Sequence, residues 1–224
     1  MNGIPHWYFH KLDNKYANYK IKCLDPNLLI DAILPPDNIV GSVVYPACEI
    51  LKPGTIRHIA GNRFSLGEPE GSESDRLKFI SDILKKAGFR APIQKNIRDE
   101  IWLKLIGNLS FNPISALTGA TLEQICNDQG TEAIVRAMMT EAKIIAEKLG
   151  AKINMSIEKR IDGARKVGAH KTSMLQDIEA GKPIEIDSII IAVKELGELT
   201  CSPTPYIDTI LNLTLQKAKL IGCL

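Results

Sequence analysis

The stretch Lys104-Leu-Ile-Gly-Asn108-Leu-Ser-Phe-Asn112-Pro113 decides how this chain is read. On an α-helix, Asn108 and Asn112 lie about 40° and 80° round from Lys104, with a rise of about 6 Å at each step. One ammonium and two amides then share a single stripe, and Leu105, Ile106, Leu109 and Phe111 nearly encircle it. A stripe so enclosed faces protein interior or a cleft rather than bulk water. A buried ammonium loses hydration, which lowers its pKa and calls for a partner. In that setting a lysine polarises a carbonyl oxygen and serves as a general acid, with the amides fixing a small polar ligand. A polar contact between helices uses the same residues, and the spacing alone leaves both readings open.

Outward from this segment the chain divides. From about Asn96 it reads as helical throughout: Asn96 caps a helix whose first turn holds Asp99 and Glu100. Further helical patterns cover Thr131–Leu149, Ser156–Val167, Ser173–Ala180, Glu185–Leu196 and Tyr206–Ile221. The first ninety or so residues mix types. Pro26–Leu34 reads as helix. Short β-branched runs at 41–45, 49–51, 55–60 and 63–66 are punctuated by Pro53-Gly54 and Gly61-Asn62, which are hairpin signals. A helix follows, capped by Ser72 or Ser74, with Leu77, Ile80, Ile83, Leu84 and Ala87 on its apolar face and Gly88 as its stop. The expected organisation is α+β, with domains at 1–95 and 96–224.

The chain has 224 residues, 45% of them hydrophobic and 24% charged, enough for a real core and unlike a disordered or disulfide-stapled sequence. A net charge of +2 gives no ground for a nucleic-acid or membrane-surface partner. Five scattered cysteines without a CxxC pair suit a reducing compartment, and no stretch reads as a signal peptide or membrane span, so a cytoplasmic location is expected.

A second segment, Ser173-Met-Leu-Gln-Asp177…Glu185-Ile-Asp187, carries chemistry as well. Ser173 with Gln176 makes a capping box, and Glu185 and Asp187 open the next helix, where the macrodipole alone favours acids. The functional reading brings Glu185 to Lys104. No metal site is expected. His6 and His10 stand four apart but lack a third ligand and read as an aromatic cluster with Trp7, Tyr8 and Phe9. Gly163 and Gly168 have Walker-like spacing without the Lys-Ser/Thr that should follow, and no two glycines stand two apart, so a GxGxxG fingerprint is absent.

Lys104…Asn108…Asn112-Pro113, taken with Ser173-Met-Leu-Gln-Asp177…Glu185-Ile-Asp187, resembles the C-terminal helical domain of the ketopantoate reductases (2-dehydropantoate 2-reductases). Asn2-Gly3-Ile4 resembles the Asn-Gly turn after a late strand of that family's nucleotide domain, and Val43-Val44-Tyr45-Pro46…Gly54…Gly67-Glu68 fits the part that follows. The resemblance implies a remnant of a Rossmann-type α/β domain with short strands. An all-α C-terminal domain of the 6-phosphogluconate-dehydrogenase-like type would follow it. It implies NADPH-dependent reduction of ketopantoate to pantoate, a step of pantothenate and coenzyme A synthesis. Lys104 and Glu185 would be catalytic, Asn108, Asn112 and Ser173 would hold substrate, and Asn2, Gly3 and Glu185 would meet the cofactor NADP(H).

Members of the family begin with βαβ units carrying a Gly-rich loop, whereas this sequence opens at the Asn-Gly turn. The expectation is therefore a truncated or split reductase that binds NADPH weakly by itself. Its partners would be a small 2-oxo acid, a separate nucleotide-binding half and further copies of the chain. The alternative is a non-enzymatic helical dimerisation or binding module derived from the same family.

Overall fold

Turn chemistry in the first hundred residues converts directly into strands. In a computed structural model of the chain, residues 2–224 are described. β1 (Gly41–Val44), β2 (Ala47–Lys52), β3 (Thr55–Ala60) and β4 (Phe64–Gly67) follow one another as expected. β2 and β3 form an antiparallel hairpin closed at Pro53-Gly54, where Gly54 takes a φ of 77° that the turn requires. β1 pairs antiparallel with β4, Gly41 opposite Gly67 and Val44 opposite Phe64.

β4 is extended on its other side. The amides of Phe64 and Leu66 donate to the carbonyls of Arg90 and Pro92, and the Gln94 amide returns to Leu66, with parallel bridges at Arg63–Arg90 and Leu66–Ile93. Between these partners lies α2 (Asp75–Lys86), so β4, α2 and residues 90–94 make one parallel β-α-β step of the kind a Rossmann-type domain repeats. Leu66, Leu77 and Ala91 are its buried centre, with Phe64, Ile80, Leu84 and Ile93 packed around them. Ser74 is the α2 N-cap, its hydroxyl accepting from the Leu77 amide. Pro26–Leu34 supplies only a short helix, α1 (Leu29–Ile33), because Leu28 sits at φ 54°.

An ion pair between a buried carboxylate and an exposed guanidinium ties the start of α2 to the β1 side of this unit. The Glu68 carboxylate is fully buried; it accepts Arg76 Nε at 2.8 Å and Nη2 at 2.6 Å, together with the Ser74 hydroxyl. Arg76 Nη1 also donates to the Asp37 carbonyl at 2.6 Å. The guanidinium holds the Glu68 carboxyl below the usual glutamate value of 4.5. Such a carboxylate adds stability above its unfolded pKa and loses it as pH falls through the folded one. Glu68→Gln is expected to cost about 2 kcal/mol near neutrality, and the gap to the parent should close on acidification. Denaturant melts across the acid range check this, and a constant gap would show that the charge contributes nothing.

The second half is all helix: α3 (Ile97–Thr118), α4 (Leu122–Asn127), α5 (Gln129–Lys148), α6 (Ile157–Val167), α7 (Ser173–Glu179), α8 (Ala192–Leu199) and α9 (Pro205–Ile221). The fold is thus α+β, with short strands first and an all-helical part after them. Chain contacts define two units, one of residues 6–20 and 27–101, the other of residues 2–5, 21–26 and 102–224. The buried side chains of the second unit include Trp102, Leu105 and Leu109 of α3, Met138, Met139 and Ile145 of α5 and Leu196 of α8. Glu141 of α5 accepts the Tyr206 and Ile207 amides at 3.0 Å each, closing the first turn of α9 from outside that helix. Among the described residues, no helix is long and apolar enough to cross a membrane.

Three local expectations are corrected. The cap of α7 is Thr172, whose hydroxyl accepts from the Leu175 amide, not Ser173, which is the first helical residue. Glu185 does not open a helix; that element starts with a π-helical turn, Asp187–Ile191, running into α8. α4, with a capping box between Thr121 and Gln124, had not been anticipated.

Candidate active site

Every sequence-predicted site residue belongs to the helical unit, because residues 2–5 join it. The Ile4 amide donates to the Ser188 carbonyl at 2.8 Å, and the Ser188 hydroxyl donates to the Asn2 carbonyl at 2.9 Å. The Asn2-Gly3 turn therefore lies on the π-helical turn, a wider coil that recurs at functional positions. Gly3 has φ 89°, and an added Cβ would fall within 2.7 Å of Ser188 Cβ and closer still to its carbonyl. Only glycine meets both demands. Beside it, Asn2 Nδ2 donates to Glu185 Oε2 at 2.9 Å, which fixes an exposed carboxylate at the edge of the turn.

Lys104 is half-buried on α3. Burial pushes its ammonium below the ordinary lysine value of 10.5; the Glu185 carboxylate opposes that shift, and the Arg160 guanidinium adds to it. Lys104 and Glu185 thus act on one another through charge. Asn108, one turn on, is half-buried. Asn112, a further turn on, is 5% exposed, and its Nδ2 is a buried donor with no acceptor among the described residues. An orphaned amide at this depth is unusual and suits a ligand oxygen.

Ser173 is exposed at the start of α7. It shares a helix face with Asp177, four residues on. Burial raises the Asp177 carboxyl, Lys182 lowers it, and Glu185 raises it further. The structure gives Ser173 no bond to the other site residues. Arg160 and Ser188 were missed by sequence reasoning. Arg160 is one of four cations on α6, and only the glycine at 107, interior to an apolar helix, gives a hint that something packs there.

Residues 96–218 match the family model for the C-terminal domain of ketopantoate reductase PanE/ApbA. A 2-dehydropantoate 2-reductase of Mesorhizobium japonicum is 50% identical over 222 residues, covering 99% of this chain and 68% of its own length. A Ralstonia solanacearum crystal structure, of a protein named provisionally as a ketopantoate reductase, superposes with a TM-score of 0.95. It is 39% identical and covers all of this chain and 68% of that one. The ternary structure of D-mandelate dehydrogenase with NADH and anilino(oxo)acetate matches 99% of this chain and 67% of that one. Its TM-score is 0.80, and at 20% identity it shows the fold alone. This chain belongs to the ketopantoate reductase family, a family of oxidoreductases. It spans about two thirds of the length of these three proteins.

Proposed function

We propose that this chain provides the substrate-side machinery of a ketopantoate reductase, turning the ketone of a small 2-oxo acid into an alcohol with hydride from NADPH. The observation that carries the reading is the half-buried Lys104 ammonium, influenced by Glu185 and followed along its helix by Asn108 and the orphaned amide of Asn112. Its pattern suits a substrate with a ketone oxygen to protonate and further oxygens to accept from amides. Family membership and the 50% identity to a named 2-dehydropantoate 2-reductase support ketopantoate as that substrate.

The residues at 2 and 185 fit the ribose end of a nicotinamide cofactor. Glu185 offers carboxylate oxygens for hydroxyls while Asn2 keeps it oriented. NADPH, when bound, supplies the hydride. Lys104 stabilises the negative charge that develops on the ketone oxygen and transfers its proton there, and solvent then reprotonates the amine. Burial matches this work, since an ammonium already disfavoured by desolvation gives up its proton more readily. Asn108, Asn112 and Ser173 hold the substrate carboxylate and hydroxyl oxygens against α3 and α7. Exposed Ile144 on α5 and Tyr206, Leu213 and Leu220 on α9 support self-association through the helical part; light scattering should give a dimer or larger, and a monodisperse monomer would exclude it.

Loss of nicotinamide absorbance tests the reaction. The chain is assayed with ketopantoate and NADPH, alone and with a GxGxxG-bearing nucleotide-binding half of a relative added. Turnover in either mixture, with NADPH preferred to NADH, is the expected result. No turnover in either would leave a non-enzymatic binding module as the better description.

A further inference from the structure

Gly107 lies three residues after Lys104 on α3, so the two share a helix face with Cβ positions about 5–6 Å apart. The space a Cβ would fill at Gly107 is taken by the Arg160 side chain from α6: Cζ and Nε would both stand 2.7 Å from it, with Nη2 nearer still. The guanidinium thus turns its Nε–Nη2 edge to the bare helix backbone at Gly107, one turn along α3 from Lys104. Arg160 also lines a mostly apolar recess with Leu103, Ile106, Ile153, Met155 and Ile157, where Lys143 and Ser156 are the other polar members. A helix-interior glycine costs stability relative to alanine, and here its absent side chain is what admits the second cation.

We propose that Arg160, seated on Gly107, is a positioning residue for Lys104. Its fixed positive charge stands against that of the ammonium, opposite in effect to Glu185, and makes Lys104 a stronger proton donor. The groups acting on Lys104 come from separate elements: Arg160 on α6 and Glu185 ahead of the π-helical turn, with Asp177 of α7 feeling the Glu185 charge in turn. Like charges one turn apart in a partly desolvated site disfavour the protonated lysine. Arginine suits the task because it stays charged at every working pH.

This inference rests on Lys104 being the proton donor, and its test is separable from that reading. Lys104 is titrated by NMR of the reductively methylated protein, with the Lys104→Met variant identifying its signal. Arg160→Met is expected to raise the Lys104 midpoint by about one pH unit. Gly107→Ala, which keeps the arginine but pushes it off the helix, should raise it in the same direction. Arg160→Lys, which restores a charge, should leave it close to the parent. An unmoved midpoint in both Arg160→Met and Gly107→Ala would overturn the proposal, whether or not ketone reduction is observed. Where turnover is measured, the alkaline limb of the kcat profile should move up with the midpoint in Arg160→Met. A fall in kcat with no change in that limb would mark Arg160 as merely structural and overturn the proposal too. Failure of the proton-donor reading would appear differently, as full turnover in a Lys104→Ala protein.

Discussion

Lys104→Ala is expected to slow 2-oxo acid reduction by about 10²–10⁴-fold, the usual contribution of a positioned general acid. The substitution should leave the fold standing. A half-buried ammonium carries a desolvation cost that the Glu185 carboxylate offsets only in part, so losing it removes a strained charge along with some packing of its methylene stem. The loss should therefore appear in kcat, with thermal unfolding close to the parent. The pH dependence supplies the sign. Lys104 acts in its protonated form, and its pKa lies below 10.5, so turnover should decline on the alkaline side earlier than a solvent-exposed lysine would impose. Steady-state kinetics over a pH series measures both. A Lys104→Ala protein within tenfold of the parent would remove the chemical core of the proposed function.

Gly3→Ala should be among the most damaging single-methyl additions available to the helical unit. Two costs add: a side chain at φ 89°, and a Cβ driven into Ser188. Strain of this kind and overpacking run to about 1–3 kcal/mol each, so a loss of about 3 kcal/mol or more is expected. Unfolding should drop by about 6–12 °C. Gly119 is the control, since it has φ 75° with nothing within 4 Å of an added Cβ; Gly119→Ala carries the backbone strain alone and should cost about 1–2 kcal/mol. The difference between the two isolates the contact with the π-helical turn. Because Asn2 orients Glu185, Gly3→Ala should also weaken activity below its own melting point. Equal losses at both positions would mean that the close approach to Ser188 contributes nothing.

What could be read from the residues alone follows the range of the physics. Strands 41–67 announced themselves because Pro53-Gly54 and Gly61-Asn62 act locally, and the α2 cap at Ser74 needs only its own first turn. The polar stripe on α3 followed from helical spacing, and its partial burial from the apolar residues around it. Residues 90–94 escaped because a parallel ladder forms with residues on the far side of a helix and carries no turn signal of its own. Thr172 and Ser173 are adjacent hydroxyls with equal capping chemistry, so one-residue placement had to come from the backbone. The π-helical turn depends on what packs against it, here a segment from the other end of the sequence. Arg160 escaped for the same reason, as its meaning lies in Gly107 on a different helix.

The bond from Asn2 to Glu185 joins residues 183 positions apart. On a ribosome, the stretch at 2–5 emerges well before its acceptor is made and must stay without it while the residues between are synthesised. The bond that orients Glu185 therefore waits on the synthesis of α3 to α7, while α8 and α9 are still to come. A nascent chain stalled short of residue 185 would leave residues 2–5 open to chaperones and proteases, with their partner at 185–188 not yet made.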